Sequence, residues 1–191
     1  MNTLIDAEWC RERGACYTDR HLARLFDRPM DVPEVLTRRD GRWRRVPAAD
    51  RLWVFFLAAP VPLQMSVATR AADRQVRARC LHCGIDAVER WAARWLSDED
   101  RSVAAAWQAT DAVLDAWGVR PKPARRSLWS AAFAATWAAR WVEARWADRA
   151  ATCAAAAALK ESEKARRAEY RAQLADAIEV LAGEAAKENR I

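Results

Sequence analysis

Apolar side chains recur at intervals of three and four residues along almost the whole chain, which is the period of an α-helix. Runs that alternate apolar with polar residues, typical of half-buried strands, are almost absent. Prolines and glycines interrupt the helical pattern at a few points and set the ends of three central helices. These helices are predicted over about 48–59, 62–82 and 85–96.

Capping residues predict the ends of several other helices. Asn2 or Thr3 is suited to cap a first helix that ends at Gly14, and Thr18 is suited to cap a second. Ser97 and the three acids that follow it, through Asp100, predict the start of a later helix, because acidic side chains stabilise the positive end of a helix.

The helix after Asp100 carries one stripe of larger side chains. Its members are spaced four and three residues apart, as expected for a face that packs on a core. We therefore expect Leu114 and Trp117, at the end of the stripe, to be buried. The stripe consists of Val103, Trp107, Thr110, Leu114 and Trp117.

A long C-terminal helix is the most distinctive element that the pattern predicts. The segment 121–127, PKPARRS, is the clearest linker, and neither proline nor glycine occurs from Leu128 to Ala182. An unbroken helix of that length would far exceed a small domain, so a kink or turn is expected between Lys160 and Lys164. A tryptophan stripe with a spacing of four residues is interpreted mainly as core. Its members are Trp129, Phe133, Trp137 and Trp141.

The predicted fold is a single all-α domain of six to eight helices. An N-terminal part, 1–120, contains a basic loop over 38–47, and the C-terminal helical segment, 121–191, packs on it. Composition supports this prediction, because the chain has only 5 glycines and 7 prolines among 191 residues. A Rossmann domain, a P-loop enzyme and a β-sandwich need more glycine or more strand formers than this chain offers.

The charge and the cysteines bear on the compartment and on the partners. The net charge is +6, from 32 basic and 26 acidic residues. No apolar stretch is long enough to span a bilayer, and the N-terminus does not have the pattern of a secretory signal, so we expect no membrane contact. Five cysteines are an odd number, which favours reduced thiols and a cytoplasmic location.

No catalytic or metal-binding arrangement is expected. A zinc site would need Cys10, Cys16, Cys80 and Cys83 to converge, but the first pair is six residues apart. The preferred interpretation is that Cys80 and Cys83 pack one helical turn apart on a buried face. His21 and His82 are the only histidines, and nothing marks either as the partner of a nucleophilic thiol. We therefore predict a protein that is not an enzyme and holds neither metal nor cofactor.

The basic loop is the leading candidate for a binding surface. Its arginines surround Trp43, which we expect to be exposed as an anchor between outward-pointing guanidinium groups. A solvated loop whose Trp43 packs back onto the core is the competing interpretation. The secondary candidates are Arg140, Arg145 and Trp146 on the C-terminal helix. The primary candidates are Arg38, Arg39, Arg42, Trp43, Arg44 and Arg45.

Several stretches in order resemble one known family. They are TLIDAEWCRERGAC, DRLWVFF, RARCLHCGIDAVERWAARWLSDEDRSVAAAW and the alanine-rich C-terminal helix. Over roughly residues 3–160 the chain is similar to the alanine-rich immunity proteins of bacterial toxin systems, which are also common in phages and prophages. The resemblance implies an all-helical, non-enzymatic protein that neutralises a toxin. In phage-borne relatives it implies counter-defence against a host enzyme, of the anti-CRISPR kind.

The function predicted from these observations is inhibition by direct protein binding. The partner would be a toxin or a defence enzyme with an acidic surface, and formation of a homodimer is left open. The first alternative is a nucleic-acid-binding accessory protein that uses the same arginines and tryptophan. The second alternative is an enzyme of unrecognised type. The dependence of binding on salt separates the first two classes, because phosphate contacts weaken steeply as salt is added.

Overall fold

The computed structural model describes residues 3–116, 123–139, 150–151, 153–156 and 162–188. These residues form a single all-α domain, as predicted. The described part of the chain contains no strand, and its one β-bridge pairs Ile5 with Met30 through backbone hydrogen bonds of 2.7 and 2.9 Å.

The described residues contain nine α-helices and one turn of 3-10 helix, and residues 150–151 and 153–156 are also helical. This number is close to the predicted six to eight. The helices are α1 (Ala7–Glu12), α2 (Asp19–Leu25), α3 (Val32–Thr37), α4 (Ala48–Ala58), α5 (Val61–Arg79), α6 (Asp86–Leu96), α7 (Val103–Asp115), α8 (Pro123–Ala139) and α9 (Glu163–Glu188); the 3-10 turn is Trp43–Arg45.

The caps of the first helices agree with the sequence in part. Thr18 caps α2 as predicted, with its side chain accepting a hydrogen bond from the backbone N–H of His21. The cap of α1 is Asp6, whose carboxylate accepts from the N–H of Trp9 at 2.8 Å, so the assignment of that role to Thr3 or Asn2 was wrong. Gly14 follows the end of α1 with a φ of +74°, a conformation that glycine adopts at no steric cost.

The acidic run after Ser97 does not start a helix, contrary to the prediction. Ser97 is the C-terminal cap of α6, and the backbone N–H groups of Glu99 and Asp100 return to the carbonyl of Arg94. The true cap of α7 is Ser102, whose hydroxyl accepts from the N–H of Ala105 at 3.2 Å. The acids therefore belong to the turn between two helices.

Helix α5 lies at the centre of the domain, with α6, α8 and α9 packed against it. Helix α8 also packs on α7, and α9 also packs on α3 and α4. The C-terminal region is not one unbroken helix, because Ser162 is non-helical and caps α9, its hydroxyl accepting from the N–H of Ala165 at 3.0 Å. The turn expected near Lys160–Lys164 is confirmed at its C-terminal end, and residues 157–161 lie outside the described residues.

The buried face of α7 consists mainly of small residues. On α7 the buried positions are Ala105, Ala106, Ala109, Thr110 and Val113, so the face predicted from the larger side chains is rotated. Leu114 is 45% exposed, which makes the prediction of its burial wrong, and Trp117 lies outside the described residues. Alanine faces let two helix backbones approach closely, and large side chains are then displaced to the flanks of the contact.

The tryptophans are divided between the core and its margin. Trp91 and Trp95 on α6 are almost completely buried, as is Trp137 on α8. Trp129 and Phe133 are half-buried, and their rings stack with centroids 4.6 Å apart. The core interpretation is therefore confirmed for Trp137, whereas Trp129 and Phe133 lie at the margin of the core. Trp141 lies outside the described residues.

A charged cross-link joins α5 to α9. Glu169, only 6% exposed, accepts hydrogen bonds from the Arg74 guanidinium, at 2.9 Å from Nη2, and from the amide groups of Gln75 and Gln173. Arg74 also donates to Asp176 at 2.6 Å. Loss of a donor to a buried carboxylate is costly, so this network favours one placement of α9 on α5.

Candidate functional site

The candidate site is the arginine loop, residues 38–47, which joins α3 to α4. Its centre is the 3-10 turn Trp43–Arg45, whose first N–H bonds to the carbonyl of Asp40 at 3.0 Å. Gly41 has a φ of +47°, which residues with a side chain rarely adopt, and so lets the chain reverse before the turn. The loop is thus a folded turn.

Trp43 is buried, with 4% of its surface exposed, so the expectation of an exposed anchor was wrong. Its indole N–H donates to the carbonyl of Leu25 at 2.8 Å, and its ring meets Phe26 edge to face at 5.2 Å. A buried indole needs such a hydrogen-bond partner, and the end of α2 provides one. Trp43 therefore packs back onto the core, as the competing interpretation predicted for this side chain.

Two of the predicted arginines are engaged within the chain. Arg38 forms ion pairs with Asp40 at 2.7 Å and with Asp27 at 3.0 Å. Hydrogen bonds from Arg38 hold the pKa values of both carboxyls below their ordinary range and raise the pKa of Arg38 itself. Arg39 is exposed and donates to the carbonyl of Leu36 at 2.9 Å.

The other three arginines point into solvent. Arg42 is exposed and makes one long contact, 3.4 Å from Nη1 to the carbonyl of Arg24. Arg44 and Arg45 are exposed and have neither an ion pair nor a side-chain hydrogen bond among the described residues. The loop therefore presents Arg42, Arg44 and Arg45 as exposed guanidinium groups that have no carboxylate partner among the described residues.

Arg51 on α4 is the residue that sequence reasoning missed. It is 2% exposed and has no carboxylate partner among the described residues. Burial, followed by the charge of Arg39, lowers its pKa to about 10. The only available signal was a lone basic residue in the apolar run DRLWVFF. In place of a carboxylate, the Arg51 guanidinium donates hydrogen bonds to backbone carbonyls before and within the loop: those of Val35, Leu36, Arg38, Trp43 and Val46.

A cavity of about 430 Å³ lies behind the loop, bounded by Trp43, by α4 and by α9. At its wall the hydroxyl of Tyr17 donates a short hydrogen bond to Asp50 Oδ2. Burial and this bond to Asp50 raise the pKa of Tyr17 above its ordinary value. Neither Tyr17 nor Asp50 was predicted from the sequence to have a role.

The cysteines do not converge on a metal site within the described residues, where no group of three potential ligands comes together. Cys80 is buried in the core, as the packing interpretation predicted, and Cys83 is half-buried against it. Cys10 is buried and Cys16 is exposed. Burial raises the pKa of Cys10 to about 11 and raises that of Cys80 as well. Both thiols are therefore protonated at neutral pH, which is unfavourable for nucleophilic chemistry.

The secondary binding candidates, Arg140, Arg145 and Trp146, lie outside the described residues. No described helix combines the length and the apolar character that spanning a membrane requires. No family model, no curated protein and no solved structure matches this chain. The resemblance to alanine-rich immunity proteins therefore stays a prediction.

Proposed function

We propose that this protein is a non-enzymatic inhibitor that binds an acidic surface of another protein, as an immunity protein or a phage counter-defence protein does. The observation that carries the proposal is the exposed set Arg42, Arg44 and Arg45. Arg44 and Arg45 have no carboxylate partner among the described residues, and an acidic partner would supply the missing charge.

The supports beneath these arginines favour a binding role. The burial of Trp43 and the hydrogen bonds from Arg51 hold the loop backbone in one conformation. A surface that is already ordered loses less conformational entropy when a partner binds. Arginine also forms forked hydrogen bonds with carboxylates, which suits an acidic protein surface.

The burial of Trp43 also favours a protein partner over a single-stranded nucleic acid. Binding of single strands combines a basic groove with aromatic side chains on which bases stack. In this loop the one aromatic side chain is enclosed by Leu25, Phe26 and the rest of the core. The surface of the loop therefore offers arginine side chains but no aromatic ring on which a base could stack.

Charge reversal in the loop tests the proposal. Arg44→Glu with Arg45→Glu is compared with Arg90→Glu and Arg94→Glu, two exposed arginines on α6 that give the same change of net charge. Binding is measured by biolayer interferometry against purified products of the adjacent genes. We expect the loop variant alone to lose at least about tenfold in affinity with an unchanged melting temperature, because the removed charges meet the partner directly.

Two outcomes would contradict this proposal. Equal losses in the two double variants would mean that only net charge matters. Tight binding of a 20-base-pair DNA duplex, with an affinity that falls log-linearly and steeply with salt, would favour the nucleic-acid alternative.

A further inference from the structure

The cavity behind the arginine loop has the size and lining of a ligand site. Its volume of about 430 Å³ falls within the range of small-molecule pockets, about 300–1,000 Å³. Most of its walls are apolar, and aromatic side chains contribute much of them. These are Tyr17, Phe26, Trp43, Trp53, Phe56 and Tyr170.

Asp50 is the wall residue with an unused hydrogen-bonding position. Its Oδ2 accepts the hydroxyl of Tyr17, whereas its Oδ1 receives no hydrogen bond from any described residue. The bond from Tyr17 fixes how the carboxylate is oriented. A carboxylate placed among aromatic walls favours a group that brings both positive charge and N–H donors.

Arg51, the positively charged residue in the cavity wall, already donates its hydrogen bonds to the backbone. Its Nε, Nη1 and Nη2 atoms all donate to backbone carbonyls of residues 35–46. Those carbonyl dipoles offset part of its charge and occupy most of its donors. An anionic ligand would therefore gain little from Arg51 and would meet the carboxylate of Asp50.

We propose that the cavity binds a small organic amine with an aromatic body. The ammonium group donates to Asp50 Oδ1, and the ring packs against the aromatic walls. This site is independent of the partner surface, because the arginines that carry the proposed function point away from the core into solvent.

The test compares two probes that differ in one group. Tryptamine and tryptophol share the indole ring and the two-carbon side chain, but one ends in an ammonium and the other in a hydroxyl. Isothermal calorimetry at pH 7 should show saturable binding of tryptamine at least about tenfold tighter than that of tryptophol, as expected for a hydrogen bond to a charged group. Equal affinities, or no saturable binding of tryptamine, would overturn the proposal.

Variants assign the preference to Asp50. Asp50→Asn should abolish the difference between the two probes, while Asp86→Asn, which also removes an acid from the first turn of a helix, should preserve it. If Asp50→Asn does not fold, Asp50→Glu moves the carboxylate by one methylene and should weaken tryptamine more than tryptophol. The assignment to Asp50 would be refuted if a folded Asp50 variant kept the full wild-type difference in affinity between tryptamine and tryptophol.

Discussion

The indole of Trp43 lies in the core although arginines flank it closely in the sequence. The 3-10 turn makes this arrangement possible, because it directs Trp43 inward while Arg44 and Arg45 point outward. An indole buries a large apolar area once its N–H finds an acceptor, and the carbonyl of Leu25 is that acceptor. Charge density in the sequence therefore predicted the exposure of the arginines but not the position of the ring between them.

Replacement of Trp43 should affect stability first. Trp43→Ala removes a buried ring, and we expect the free energy of unfolding to fall by about 3–5 kcal/mol. Trp43→Phe keeps much of the apolar contact and loses the hydrogen bond to Leu25, so its cost should be clearly smaller. Urea titration followed by circular dichroism measures both. A loss below about 1 kcal/mol for Trp43→Ala would show that the ring is not enclosed.

Arg51 marks the limit of what the sequence could predict about the site. The exposure of most arginines in the loop could be predicted from their number, because like charges at close spacing stay in water. The burial of Arg51 depends on five carbonyls that only the folded chain brings together. The same holds for the pair of Tyr17 and Asp50, which are 33 residues apart in the sequence.

Helix α7 shows why the presence of a helix is easier to predict than its buried face. Proline and glycine determine helix ends locally, and α4, α5 and α6 accordingly begin and end within a few residues of the predicted positions. The buried face depends on the partner helix. Helix α8 has its own buried small residues, among them Ala131, Ala132 and Ala135. The hydroxyl oxygens of Thr110 on α7 and Thr136 on α8 lie 3.4 Å apart, so the two backbones approach closely there.

The close approach of α7 and α8 predicts sensitivity to added volume. Ala106 is fully buried one turn before Thr110, whose hydroxyl oxygen lies 3.4 Å from that of Thr136 on α8. Ala104 on the same helix is exposed. Ala106→Leu should lower the free energy of unfolding by about 1–3 kcal/mol, because the extra atoms force the helices apart. Ala104→Leu adds the same volume and should change the free energy by less than about 0.5 kcal/mol. Equal effects in chemical denaturation would mean that the contact is not tightly packed.

On the scale of the whole molecule, buried thiols with raised pKa values make the stability of the fold depend on pH in the alkaline range. Burial raises the pKa of the Cys10 thiol from 9.0 to about 11, and burial also raises the pKa of Cys80. The folded state holds these protons more tightly than the unfolded state. The stability that they contribute is therefore complete below about pH 9 and is lost as the pH rises through the pKa of the folded state.

The free energy of unfolding should consequently fall by about 2 kcal/mol between pH 8.5 and 10, since each thiol can contribute up to about 1.4 kcal/mol per pH unit. Arg51, with its pKa lowered to about 10, acts with the opposite sign only above that pH, which sets the upper limit of the measurement. Urea titrations at several pH values give the slope. Cys10→Ala with Cys80→Ala should make the slope shallower, leaving a smaller part from Tyr17 and Cys83, whose pKa values burial also raises. Replacement of the exposed Cys16 by alanine should leave the slope unchanged. A slope unchanged in the double variant would mean that other groups release the protons and that the two thiols do not couple folding to pH.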